Sequence, residues 1–199
     1  VDYEQIKAFR WNSLNPEHPF SRGTTAGAET FFQGREAANS HYAAIPDIVQ
    51  GYMDEINKLT GRHYKLYEYY GVPDAKEVVI AMGSGTETMR DTVDYLNAHG
   101  RKVGMISVHL YRPFSAKHFL ASLPESVEKV AVLDRTKESG SAGEPLFLDV
   151  SAVLGASGRT FKAVVGGRFG LSGKDTTPGQ IVAVFVNLKL GHIEHIGGI

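Results

Sequence analysis

From Glu77 onward the chain repeats one rhythm: a short apolar run, a turn, and a segment whose apolar residues recur at helical spacing. Such alternation predicts parallel strands joined by crossover helices. The expected strands are Val78–Met82, Val103–Val108, Lys129–Leu133 and Phe161–Val165, the first of them apolar throughout, as a strand buried on both faces should be. Between them Met89, Val93 and Leu96 fall on one helical face, Phe119, Leu120 and Leu123 on a second, and Phe147, Val150 and Leu154 on a third. A last helix should carry Ile181, Val184, Phe185 and Leu188. Ser84, three residues ahead of Glu87, predicts a capping box for the first helix, and Pro178 suits the first turn of the last.

The stretch from Val1 to Pro46 behaves differently. Pro16, Pro19, Gly23, Gly27 and Gly34 interrupt every periodic element, so a mostly irregular arm is expected. Yet the arm carries Tyr3, Phe9, Trp11, Phe20, Phe31, Phe32 and Tyr42, and aromatic surface left in water costs free energy. It is expected to pack across a neighbouring domain or subunit. One helix, Asp47–Thr60, with Val49, Met53 and Ile56 on one face and Gly61 as its stop, joins arm to domain. The partial alternation of His63–Tyr70 predicts an extended strip, and its tyrosines Tyr64, Tyr67, Tyr69 and Tyr70 lack the surrounding basic charge that base stacking needs. They read as a packing surface. The fold class is thus α/β, a three-layer α/β/α arrangement with a mostly parallel sheet over residues 77–199, preceded over residues 1–76 by the arm and its linker helix.

Composition narrows the chemistry. A net charge of -1 with scattered Lys and Arg offers no basic stripe for a phosphate backbone, which disfavours nucleic acid. No apolar run approaches the ~20 residues that cross a bilayer, and the chain opens Val1-Asp2-Tyr3-Glu4 without a charged leader, so no membrane partner and a cytoplasmic setting are expected. Since the first residue is not Met, a trimmed fragment is plausible. Cysteine is absent, which removes disulfides, thiolate-bound zinc, a cysteine nucleophile and cysteine-ligated iron–sulfur clusters from this segment.

Four stretches invite a functional reading. Gly83-Ser84-Gly85-Thr86-Glu87-Thr88 stands where a dinucleotide fingerprint would place its turn, but Thr88 replaces the third glycine and no carboxylate ends the next strand. A capped strand-to-helix turn is the plainer reading; the rival is a stand-alone Rossmann-like nucleotide-binding module using Gly83–Thr88 and Arg112. Gly166–Thr177 is glycine-rich but lacks phosphate-loop spacing, and reads as a flexible loop leading to the last helix. His192-Ile193-Glu194-His195 lacks the separation of histidine–glutamate zinc motifs and reads as a solvated tail. No serine, histidine and carboxylate grouping follows from local spacing.

The best-placed cluster is Asp134-Arg135-Thr136-Lys137-Glu138, at the carboxyl end of the third strand, where open α/β sheets bind ligands. His109, Tyr111, Arg112 and Phe114 follow the second strand at the same edge. An inter-domain seam through Tyr111, Arg112, Phe114, Asp134, Arg135, Lys137 and Glu138 is the favoured reading, ahead of a small polar or regulatory ligand site, because loop charges are more often solvated or paired than functional.

Several stretches carry a resemblance. Asn15-Pro16-Glu17-His18-Pro19, Arg22-Gly23-Thr24, Phe31–Asn39, Tyr69–Ala75, Ala81-Met82-Gly83-Ser84, Val108–Phe114, Leu133–Glu138, Gly143-Glu144-Pro145-Leu146 and Lys174–Pro178 run in order along nearly the whole chain. Together they resemble pyruvate:ferredoxin (flavodoxin) oxidoreductase. The resemblance implies the end of that enzyme's first domain followed by a second, transketolase C-terminal-domain-like domain. It implies a parent that decarboxylates pyruvate oxidatively on thiamine diphosphate with magnesium, passes electrons through iron–sulfur clusters to ferredoxin or flavodoxin, and makes acetyl-CoA from CoA. This segment would be a non-catalytic structural and assembly domain, inactive alone, with no catalytic, cofactor or metal residue of its own; its partners would be other domains of the same polypeptide and a second subunit. No Gly-Asp-Gly motif with a downstream Asn, the diphosphate–metal signature, occurs in it.

Overall fold

A computed structural model of the chain describes residues 1–19, 23 and 25–190. Phe20 of the arm, part of the Arg22–Thr24 landmark and the His192–His195 tail lie outside them. Its contacts cluster into two compact units, Val1–His41 and Tyr42–Ile199.

The first unit corrects the expectation of an irregular arm. It holds helix α1 (Tyr3–Trp11) and helix α2 (Ala28–Ala37). Asp2 starts α1 by accepting the N–H groups of Glu4 at 3.0 Å and Gln5 at 3.1 Å, the side-chain cap that satisfies first-turn donors. Pro16, Pro19, Gly23 and Gly27 all fall between the two helices, so they punctuate the arm without preventing its helices. Gly34 sits inside α2, where its cost is only of the order of 1 kcal/mol.

Helix α3 runs over Asn39–Thr60, eight residues longer at its start than the expected Asp47–Thr60, and it carries Pro46 inside. Pro46 is buried, so packing offsets the N–H it cannot donate. Gly61 ends the helix as expected, at φ +70°, its N–H on the Asn57 carbonyl at 2.8 Å.

The rest of the second unit is a five-stranded sheet with helices on both faces. Strands β1 (Tyr67–Gly71), β2 (Glu77–Ala81), β3 (Val103–Val108), β4 (Lys129–Asp134) and β5 (Ala163–Arg168) lie in the order β1-β3-β2-β4-β5. All pairings are parallel except β1 with β3, so the strip predicted at His63–Tyr70 supplies an antiparallel edge strand. Period-two alternation then splits the core: Val78, Ile80, Ile106, Val130 and Val132 face one side, Val79, Ala81, Met105, Ala131 and Leu133 the other. The first side is covered by α5 (Ala116–Ser122) and α6 (Pro145–Ala156), with Val49 and Met53 of α3 packed against it. The second is covered by α4 (Gly85–Ala98) and α7 (Pro178–Leu190), through Met89, Val93 and Leu96 and through Ile181, Val184, Phe185 and Leu188. The three-layer prediction and these helical faces hold.

Three local expectations are corrected. Ser84 makes no side-chain cap; it already has helical φ/ψ, and Thr86 Oγ1 instead donates to the Gly83 carbonyl at 2.8 Å. The working capping box belongs to α7, where Thr177 N–H donates to Gln180 Oε1 at 2.8 Å and Gln180 N–H returns to Thr177 Oγ1 at 3.4 Å. And β5 begins later than Phe161 and absorbs Gly166 and Gly167, read from sequence as loop. A Cβ on Gly166 would come within 2.9 Å of the Phe147 ring, so the missing side chain is what lets α6 lie on this strand.

Candidate functional site

The carboxyl edge of the sheet is where parallel strands hand their residues to loops, and strand order reverses there between β2 and β4, the position at which open α/β sheets hold ligands. A cavity of about 190 Å³ sits at this point, lined by Ser84, Gly85 and Thr88 at the start of α4, by Arg135 after β4, and by Phe169 and Gly173–Thr176 after β5. It is small for an organic ligand.

The charged loop residues at this edge are largely occupied within the unit. Asp134 is 2% exposed and accepts the N–H of Leu146 at 2.9 Å and of Phe147 at 3.1 Å. Burial pushes its carboxyl above the ordinary aspartate value, against the pull of those two N–H groups. Arg135 donates Nε to the Gly170 carbonyl at 3.0 Å. Glu144, 5% exposed, meets Arg168 at 2.8 Å and accepts the Glu138 N–H at 2.6 Å. Burial alone would raise the Glu144 carboxyl, but that N–H and the guanidinium outweigh it and hold the group below its ordinary value.

After β3, the Arg112 guanidinium stands 2.6 Å from Asp149 of α6 and lies over the Tyr111 ring at 4.1 Å. Burial, followed by the neighbouring Asp149 carboxylate, pushes the Tyr111 hydroxyl up to about 12. Phe114 turns inward, 5.4 Å from both the Tyr67 and Phe119 rings. Of the seven residues singled out from sequence, then, Asp134 and Phe114 point into the unit, Tyr111 is half-buried, and Arg112, Arg135, Lys137 and Glu138 are exposed. Arg112 does not line the cavity beside Gly85, so the nucleotide-module rival does not bring its residues together there.

A larger groove of about 510 Å³ lies elsewhere in the unit, lined by Gln50, His63, Lys65, Glu68, His118 and Ser122 among others. Beside it the fold assembles a group invisible to local spacing: Ser115 Oγ is 2.8 Å from His118 Nδ1, and His118 Nε2 is 3.2 Å from Asp47. Asp47 is shared with Lys117 at 3.1 Å, which with His118 holds its carboxyl below the ordinary value. Ser115 caps no helix N–H with its side chain, and its own N–H donates to the Tyr67 hydroxyl at 2.9 Å. The Asp47 side chain is 65% exposed and shared with Lys117, and the group ties α5 to α3 at the surface. Only the tertiary structure brings Asp47 there.

The chain has no thiolate for an iron–sulfur cluster, and no grouping of three or more His, Cys, Asp or Glu side chains able to hold a metal ion occurs among the described residues. Among the described residues, no helix is long and apolar enough to cross a membrane.

Comparison with known proteins gives a consistent result. A family profile described as "Pyruvate:ferredoxin oxidoreductase core domain II" matches residues 75–181. The chain is 54% identical over 188 residues to the pyruvate:ferredoxin oxidoreductase of Moorella thermoacetica, a match covering 94% of this chain and 16% of that protein. It is 53% identical over 189 residues to the pyruvate-flavodoxin oxidoreductase of Enterobacter agglomerans, again covering 94% and 16%. Among solved structures, a 2-oxoglutarate:ferredoxin oxidoreductase from Magnetococcus marinus matches with a TM-score of 0.55 at 20% identity, over 82% of this chain and 24% of that one, a likeness of fold. The chain therefore spans 16% of the length of these first two relatives.

Proposed function

The chain belongs to the pyruvate:ferredoxin oxidoreductase family, as the resemblance implied, and on that premise we propose that it is a structural and assembly domain of a longer enzyme. The parent would carry out thiamine diphosphate- and magnesium-dependent oxidative decarboxylation of pyruvate to acetyl-CoA, drawing on CoA and on iron–sulfur clusters held elsewhere in its polypeptide. Ferredoxin or flavodoxin, named for the relatives, would take its electrons, and the setting would be cytoplasmic.

The observation that carries the assembly role is the engagement of the edge residues. Asp134, Glu144, Arg168 and Arg112 spend their charges within the unit, on helix N–H groups and on one another, and so are poorly placed to act on a substrate. What remains outward is contact surface: Arg135, Lys137 and Glu138 at the edge, and Tyr3, Phe9, Trp11, Phe31 and Phe32 of the first unit, each at least 56% exposed. Aromatic surface of that kind belongs against a partner.

The test is a viologen-reduction assay of the 199-residue chain with pyruvate, thiamine diphosphate, magnesium and CoA. No turnover is expected, and turnover above the protein-free control sinks the proposal. Calorimetry with NAD, NADP and CoA should likewise be silent, since binding at about micromolar strength would give readily measured heat. Such heat would revive the nucleotide-module rival, which none of the comparisons supports.

A further inference from the structure

We draw no further inference here: the strongest candidate, the cavity of about 190 Å³ where Arg135 and Lys174 stand beside the start of α4, has no buried and unpartnered side chain among the described residues aimed into it, so nothing in the structure points to what it would bind.

Discussion

Asp134 reaches from the end of β4 to the first turn of α6, where its Oδ1 accepts the Leu146 N–H at 2.9 Å. Its other oxygen takes the Phe147 N–H at 3.1 Å, while Glu144, the residue at the N-cap, makes no side-chain cap. A strand thus supplies the cap of a helix that begins eleven residues later in the chain. Because both donors sit beside the core, Asp134→Ala strands them without water. The loss should be about 2 kcal/mol or more, within the range for a removed cap and an unsatisfied buried N–H. Urea denaturation measures it, and a midpoint equal to that of the unaltered chain would remove Asp134 from the stability account.

Glu144 and Arg168 make a prediction about pH. The folded-state value of Glu144 lies below its ordinary 4.5, so the stability it contributes is present above that pH and is lost as pH falls through the lower folded value. Glu144→Gln, which cannot ionise, should flatten the acid limb of a stability-against-pH curve below about pH 4.5, while lowering stability at neutral pH because Arg168 loses its buried partner. Urea midpoints across that range decide it; parallel curves for the two proteins would count against the assignment.

Gly104 of β3 lies under the Tyr69 ring, and a Cβ there would come within 2.6 Å of ring carbon Cε2. Gly104→Ala should cost about 1–3 kcal/mol by overpacking. In a Tyr69→Ala background the same change should cost far less, since the obstructing ring is gone. The double-mutant cycle therefore has a definite sign, and additivity of the two losses would contradict this packing.

Lys129 places Nζ 2.7 Å from the Leu188 carbonyl and 3.2 Å from that of Lys189, in the last turn of α7. A cation at a helix C-terminus, partly buried, is worth about 0.3–2 kcal/mol. Lys129→Met keeps the aliphatic stem and removes the charge, so the thermal midpoint should fall. Hydrogen exchange at the end of α7 should rise more than at its start, and uniform exchange along the helix would argue against the capping role.

Much of this architecture was legible in the residues. Apolar spacing alone placed β2, β3 and β4 to within a residue at either end, and it chose the buried faces of α4 and α7, because a two-sided sheet forces long apolar runs and an amphipathic helix has one face to hide. The breakers misled in the first unit, since a proline or glycine between two helices looks in sequence like the absence of both. Gly166 misled in the other direction, its role depending on a ring that reaches it from α6.

Sequence by itself determined the fold class, the family and the want of thiolate ligands, all of which rest on residue type and on order along the chain. Tertiary structure alone decided what the edge residues do. Whether an aspartate at the end of a strand waits for a ligand or caps a helix depends on which N–H groups come within hydrogen-bond reach of it, and chain closure over long loops sets that. The same holds for Asp47 beside His118, which no local spacing brings together.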